Sequence, residues 1–159
     1  MKLALRLCYM PLLNRKVDYA LLILCYLHHK IEGACAREIA QRFVLSRPFV
    51  ANILKDLCQR DFVASHRGVK GGYLLKQQAA ERTLADLIDA LDDTVQLAEC
   101  NTTPADGCCH LLDVCPIRVP IGEVHQRIRA VLEGVTLAEL FQQSTMEAPV
   151  QLGLSKCEK

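Results

Sequence analysis

A chain of 159 residues that is 51% hydrophobic and 23% charged has enough apolar material for one compact core with an appendage, and too much for a disordered segment. The apolar run at residues 21–27, closed by Asp18 on one side and by His28, His29 and Lys30 on the other, is too short to cross a bilayer and reads as a buried helix. The net charge of +1 divides unevenly: residues 14–76 carry 11 Lys/Arg against 5 Asp/Glu, and residues 77–159 carry 6 against 13. The first part suits a polyanion and the second would be repelled by one, with uneven solvation as the plain alternative.

The first residues (Met1, Lys2, Arg6, then Leu12 and Leu13) faintly resemble a signal peptide. Pro11, Asn14 and Arg15 break the apolar stretch and no small-residue cleavage site follows, so a cytoplasmic protein is expected. Asp18 is placed to cap a helix that buries Tyr19, Leu22, Ile23, Tyr26 and Leu27 at amphipathic spacing. After Gly33 a short helix over residues 35–43 turns Ile39, Ala40 and Phe43 inward. A tight connection through Val44 and Leu45 leads to Ser46, a good N-cap, with Pro48 in a first turn that tolerates it. The next helix, over residues 47–60, buries Val50, Ile53, Leu54 and Leu57 and offers Arg47, Asn52, Lys55, Gln59 and Arg60 outward. Two short helices in tight succession, the second basic on its outer side, make the helix-turn-helix pattern.

Residues 62–65 and 72–75 read as two strands, joined by Arg67-Gly68-Val69-Lys70-Gly71-Gly72. Directly after a helix-turn-helix this hairpin is a wing, with His66, Arg67 and Lys70 at its tip. Thr83 caps a helix through about Asp92 with Leu84, Leu87, Ile88 and Leu91 on one side. A long irregular segment covers residues 94–116, and loops of that length usually serve a function or lack order. Beyond Pro120 a helix carries Ile121, Val124, Ile128, Val131 and Leu132 as one stripe and ends at Gly134. A capping box, Thr136-Leu137-Ala138-Glu139, opens the last helix, and the tail after Ser144 is read as loose. The stripe packs on its own domain or forms a two-fold seam with a second copy. The seam is favoured, because the domain before it closes its own core.

Nine cysteines in a chain of this kind are an odd number at uneven spacing, which does not suit a disulfide scaffold. Cys8, Cys25, Cys35, Cys58 and Cys157 are scattered, but Cys100, Cys108, Cys109 and Cys115 fall within sixteen residues. Zinc prefers knuckles with two to four residues between ligands, and none occurs here. An iron–sulfur cluster, a zinc ion, a bare thiol switch and inert cysteines all stay open. Wide spacing in a loop favours the cluster. His110 is an added donor or a solvated loop residue.

The chain resembles the IscR/NsrR-type regulators, the Rrf-two family, over about residues 12–142. The resemblance is carried by Val17-Asp18-Tyr19-Ala20-Leu21, by Ser46 with Phe49-Val50, Ile53-Leu54 and Leu57, and by the wing Arg67-Gly68-Val69-Lys70-Gly71-Gly72-Tyr73-Leu74-Leu75. The cysteine trio and Thr136-Leu137-Ala138-Glu139-Leu140 complete it. It implies a mainly α winged helix-turn-helix fold with a long C-terminal dimerisation helix and a cysteine-rich loop. It also implies a homodimer on double-stranded promoter DNA, away from membranes, acting as a repressor under an iron–sulfur cluster, 4Fe-4S ahead of 2Fe-2S.

Nitric oxide, redox or iron status would be sensed. Cluster ligands by resemblance are Cys100, Cys109 and Cys115, with Cys108 as the substitute for Cys109. Arg118 stands where IscR-type members place a histidine ligand. Asp18 matches the aspartate that NsrR-like members donate from the partner subunit, so the chain stands closer to NsrR. DNA contacts are expected from Ser46, Arg47, Asn52, Lys55, His66, Arg67 and Lys70.

The expected division is an extension at 1–11, a DNA-binding domain at 12–78, cluster loop and dimerisation helices at 79–144, and a tail at 145–159. The family usually starts close to the Asp-Tyr-Ala motif, which makes the extension disordered or a start-codon artefact with Met10 as the true start. Two rivals stand: a cluster-free thiol-switch regulator, and a small electron carrier that would leave the basic hairpin without purpose. An enzyme lacks any nucleophile–base pairing of recognisable spacing.

Overall fold

The computed structural model describes residues 13–66, 71–91, 97–98, 109, 111 and 113–144. Along the chain come α1 (Arg15–His29), α2 (Ala36–Arg42), α3 (Arg47–Gln59), β1 (Val63–His66), β2 (Gly72–Leu75), α4 (Gln77–Ala80), α5 (Leu84–Ala90), α6 (Arg118–Glu133) and α7 (Leu137–Gln142). The expected cysteine ligands Cys100 and Cys108, His110, the wing-tip residues Arg67 and Lys70, the extension and the tail lie outside the described residues.

Two compact units divide the chain. The first comprises residues 1–19 and 83–135, and the second comprises residues 20–82 and 136–159.

The helix α1 begins earlier than the sequence suggested. Asn14, not Asp18, is its cap: the Asn14 Oδ1 accepts the Val17 N–H at 2.9 Å. Asparagine caps as well as aspartate, and Asp18 instead sits exposed in the first turn, where a carboxylate suits the helix dipole. The inward face is also rotated. Ala20, Ile23, Leu24 and Leu27 are buried, while Leu22 is 36% exposed. The periodicity fits both faces, and small Ala20 with Leu24 takes the core side.

In the second unit α2 and α3 pack together with the hairpin. Both helices end in Schellman motifs built on non-glycine residues. Leu45 N–H reaches Ala40 O at 2.9 Å past Val44 (φ 54°), and Phe62 N–H reaches Leu57 O at 2.9 Å past Asp61 (φ 63°). Phe62 and Leu57, at the positions whose apolar contact often accompanies this motif, are both 0% exposed.

The strands pair antiparallel with Val63 opposite Leu75 and His66 opposite Gly72. Ala34 adds a bridge to Tyr73 through two backbone hydrogen bonds of 3.1 and 2.9 Å. That bridge explains two glycines. Gly33 has φ +79°, and a Cβ there would lie 2.7 Å from Tyr73 O; a Cβ on Gly72 would lie 2.9 Å from Ala34 O. The short helix α4, absent from the sequence reading, packs against α7. Phe141 of α7 stacks near His28 at 5.4 Å between ring centroids.

Thr83 caps α5 in the first unit and the Thr136 capping box opens α7 in the second, as the sequence indicated; the Asp86 side chain, which the sequence reading did not use, completes a box at Thr83 as well. The helix α6 starts two residues before Pro120 rather than after it. Its first-turn N–H groups have no partner within the helix, so proline costs nothing there. No residue of α6 is buried: Val119, Val124 and Val131 are 71%, 45% and 66% exposed. Ile121, Ile128 and Leu132 are half-buried, so among the described residues the stripe is covered only in part.

Candidate nucleic-acid interface and cysteine loop

The second unit presents α3 as an exposed polar face on a buried base. Val50, Ile53, Leu54 and Leu57 are buried. Ser46, Arg47, Asn52, Lys55, Gln59 and Arg60 are exposed. Ser46 occupies the N-cap position but its hydroxyl makes no capping hydrogen bond, which corrects the sequence-based role of that side chain. Backbone geometry at φ −70°, ψ 134° and Pro48 at the helix start fix the entry without it. His66, the last residue of β1, is exposed at the end of the strand that leads to the wing tip.

Polar contacts tie the helices of this motif to the segments beside them. The Tyr26 hydroxyl donates to Glu38 Oε1 at 2.6 Å, and Lys30 pairs with the same oxygen. Glu38 joins the end of α1 to α2, the first helix of the motif. Burial favours the protonated Glu38, but the hydrogen bonds from Lys30 and Tyr26 outweigh it and hold the carboxyl below its ordinary range. Burial, with Glu38 adding to it, pushes the Tyr26 phenol up.

At the other end of α3, Lys76 Nζ meets Asp61 Oδ1 at 2.6 Å, and this hydrogen bond holds the Asp61 carboxyl low. The Arg82 guanidinium lies 3.8 Å from the centroid of the Phe62 ring, and its Nη1 donates to Arg60 O at 2.9 Å. Sequence reading missed Glu38 and Arg82, whose partners lie 8 to 22 residues away and leave no local signature.

The first unit carries the described part of the cysteine loop. Cys109 and Cys115 are free thiols of intermediate exposure. Asp18 is exposed in the same unit. Among the described residues no three His, Cys, Asp or Glu side chains converge on a common point, so the ligand set is not assembled from these alone. In kind the donors fit a cluster, because two accessible thiols and a carboxylate are ligand types that such a centre takes. Following this loop, α6 is held to α5 by Arg129, which meets both oxygens of Asp89 and also donates to Glu133 Oε1 at 2.8 Å. No described helix is long and apolar enough to cross a membrane.

Comparison with known proteins places this arrangement. The Rrf2 family model, described as an iron-dependent transcriptional regulator, matches residues 13–143. Protein aau3 of Rhizobium meliloti is 30% identical over 131 residues, covering 82% of this chain and 84% of that protein. The HTH-type transcriptional regulator NsrR of Geobacillus kaustophilus is 26% identical, covering 82% of this chain and 89% of that one. Among solved structures, CymR (YrzC), the global cysteine regulator of B. subtilis, superposes with a TM-score of 0.65 at 26% identity, over 86% of this chain and all of that one.

Proposed function

The chain belongs to the Rrf2 family of transcriptional regulators, and we propose that it is a homodimeric repressor whose grip on promoter DNA is set by an iron–sulfur cluster on its cysteine loop. It is a regulator and not an enzyme. The carrying observation is the exposed face of α3, with Arg47, Asn52 and Lys55 outward over four buried apolar residues. Asn52 reads base edges in the major groove, while Arg47, Lys55 and the Ser46 hydroxyl, which no capping bond occupies, hold phosphates or bases. His66, Arg67 and Lys70 follow the backbone from the wing. The exposed stripe of α6, through Val124 and Val131, supplies the two-fold seam that spaces two recognition helices.

Cys100, Cys109 and Cys115 hold the cluster, with Cys108 as substitute for Cys109 and Asp18 of the partner subunit as the fourth ligand. Bound there, a cluster would cross-link the loop and would supply a centre that reacts with nitric oxide or oxygen and is not assembled when iron is short. The chain's own part is mechanical: with its cysteines tethered, the loop between α5 and α6 holds those helices in one arrangement, and untethered thiols release it. The family description as iron-dependent and the likeness to NsrR support this reading.

The test pairs two measurements. Anaerobically purified protein is assayed for visible absorption, iron and sulfide beside Cys109→Ala, and for binding to a duplex selected by the wild type from random sequence. A brown protein bleached by the substitution, with altered DNA affinity, is the expected result.

A second reading has a specific observation behind it. Cys109 and Cys115 are accessible free thiols, and the chain resembles a regulator described as a cysteine regulator. In that case the protein stays colourless after anaerobic reconstitution, and DNA release by oxidant is reversed by a dithiol.

A further inference from the structure

Arg82 stands at a junction. Its guanidinium touches two consecutive parts of the motif that ends the recognition helix: the carbonyl of Arg60, the C-cap of α3, at 2.9 Å, and the Phe62 ring at 3.8 Å. The same ring is wholly buried, and Phe62 N–H closes the end of α3 on Leu57 O. The Arg82 backbone is held as well. Its N–H donates to Ala79 O at 3.3 Å, and its carbonyl accepts Leu137 N–H at 2.9 Å.

The next residue, Thr83, belongs to the other compact unit and caps α5, the last described helix before the cysteine loop in the chain. A shift of α5 therefore enters the DNA-reading unit, along the chain, at a residue already clamped to the end of the recognition helix. We infer that Arg82 is the positioning residue through which the state of the cysteine loop reaches α3, an inference that rests on the proposed control of DNA binding by that loop.

Lysine cannot replace it, because only the planar fork lies flat on a ring while donating sideways to a carbonyl. The Lys76–Asp61 pair clamps the same end of α3, but Lys76 is not next to the other unit along the chain. It separates a transmitting role from a merely structural one.

The experiment is a mutant cycle on the full chain. Affinity for the selected duplex is measured for wild type, Arg82→Lys, Arg82→Ala and Lys76→Ala, each with and without Cys109→Ala, with circular dichroism reporting folding. Cys109→Ala is expected to change the wild-type Kd by about tenfold, a common size for coupling between sites. In both Arg82 backgrounds that change shrinks to less than about threefold, while the Lys76→Ala background keeps it whole. Arg82→Lys, which retains the charge and the stem, carries the test if Arg82→Ala fails to fold. An undiminished cysteine effect in Arg82→Lys overturns the inference alone, as does an equal loss in Lys76→Ala. No cysteine effect in the wild type overturns the control reading and the inference with it.

Discussion

The Arg129 guanidinium and the Asp89 carboxylate meet fork to fork, Nη1 to Oδ1 at 3.1 Å and Nη2 to Oδ2 at 2.5 Å, across forty residues of sequence. The bond pushes the Arg129 pKa further up, with Glu133 adding to it. Both side chains are more than a third exposed, so solvent screens the pair. Its geometry nevertheless locks α6 against α5, the two helices that flank the cysteine loop. A double-mutant cycle of Asp89→Ala and Arg129→Ala in urea should return a coupling of roughly 1 kcal/mol. Arg129→Lys should recover little of it, since an ammonium cannot bond both oxygens in parallel. A coupling indistinguishable from zero would leave the α5–α6 arrangement to apolar contact alone.

Val44 holds a left-handed φ of 54° with 83% of its surface exposed. A β-branched residue is strained in that conformation and here gains almost no burial in return. Val44→Gly relieves the strain at the cost of a more flexible unfolded chain. The net effect should be a gain of about 1 kcal/mol and a rise in Tm of a few degrees. An unchanged or lowered Tm in a thermal melt would contradict the strain.

Glu38 titrates below its ordinary value of 4.5 when folded. Its contribution to stability is present above that value and is lost as pH falls through the lower, folded pKa. Lys30, raised above 10.5 first by its hydrogen bond to Glu38, contributes fully below 10.5 and loses that contribution as pH rises through its folded pKa. Between those limits the pair should give a plateau. Melting temperature against pH should show the acid limb flattened in Glu38→Gln, and a limb of unchanged steepness would remove Glu38 as its source.

On DNA, Lys55→Ala should weaken all duplexes alike and reduce the salt slope by about one. Asn52→Ala should instead cost about 1–3 kcal/mol on the selected sequence only. Fluorescence anisotropy on selected and scrambled duplexes separates the two. The reverse pattern would mean that α3 lies in the groove with another edge forward.

The α6 stripe predicts its own disruption. Val124→Asp with Val131→Asp places two carboxylates on the face left 45% and 66% exposed and should convert a dimer to monomers in sedimentation. An unaltered sedimentation coefficient would place the seam elsewhere.

Much of this protein is legible along short stretches of chain. The buried Val50, Ile53, Leu54 and Leu57 of α3 follow from helical periodicity, and its outward Arg47, Asn52 and Lys55 follow with them. The Thr83 cap and the Thr136 capping box join residues three apart and are local enough to read from the chain. The resemblance that marks the family rests on such local runs. The cysteines stand out by crowding alone, four of nine within sixteen residues.

The tertiary structure decided what local rules leave balanced. Asn14 and Asp18 are equal as caps until the helix is placed. Leu22 and Leu24 are equal as core residues until one face of α1 meets its neighbours, and Leu22 loses. The need for glycine at 33 and 72 arises only once Ala34 and Tyr73 are bridged. Arg82 on Phe62, Glu38 between Tyr26 and Lys30, and Arg129 on Asp89 are the same kind of fact. Each joins residues far enough apart that no periodicity relates them. Chain entropy opposes bringing them together, and only the packing of the apolar core sets which polar groups finally meet.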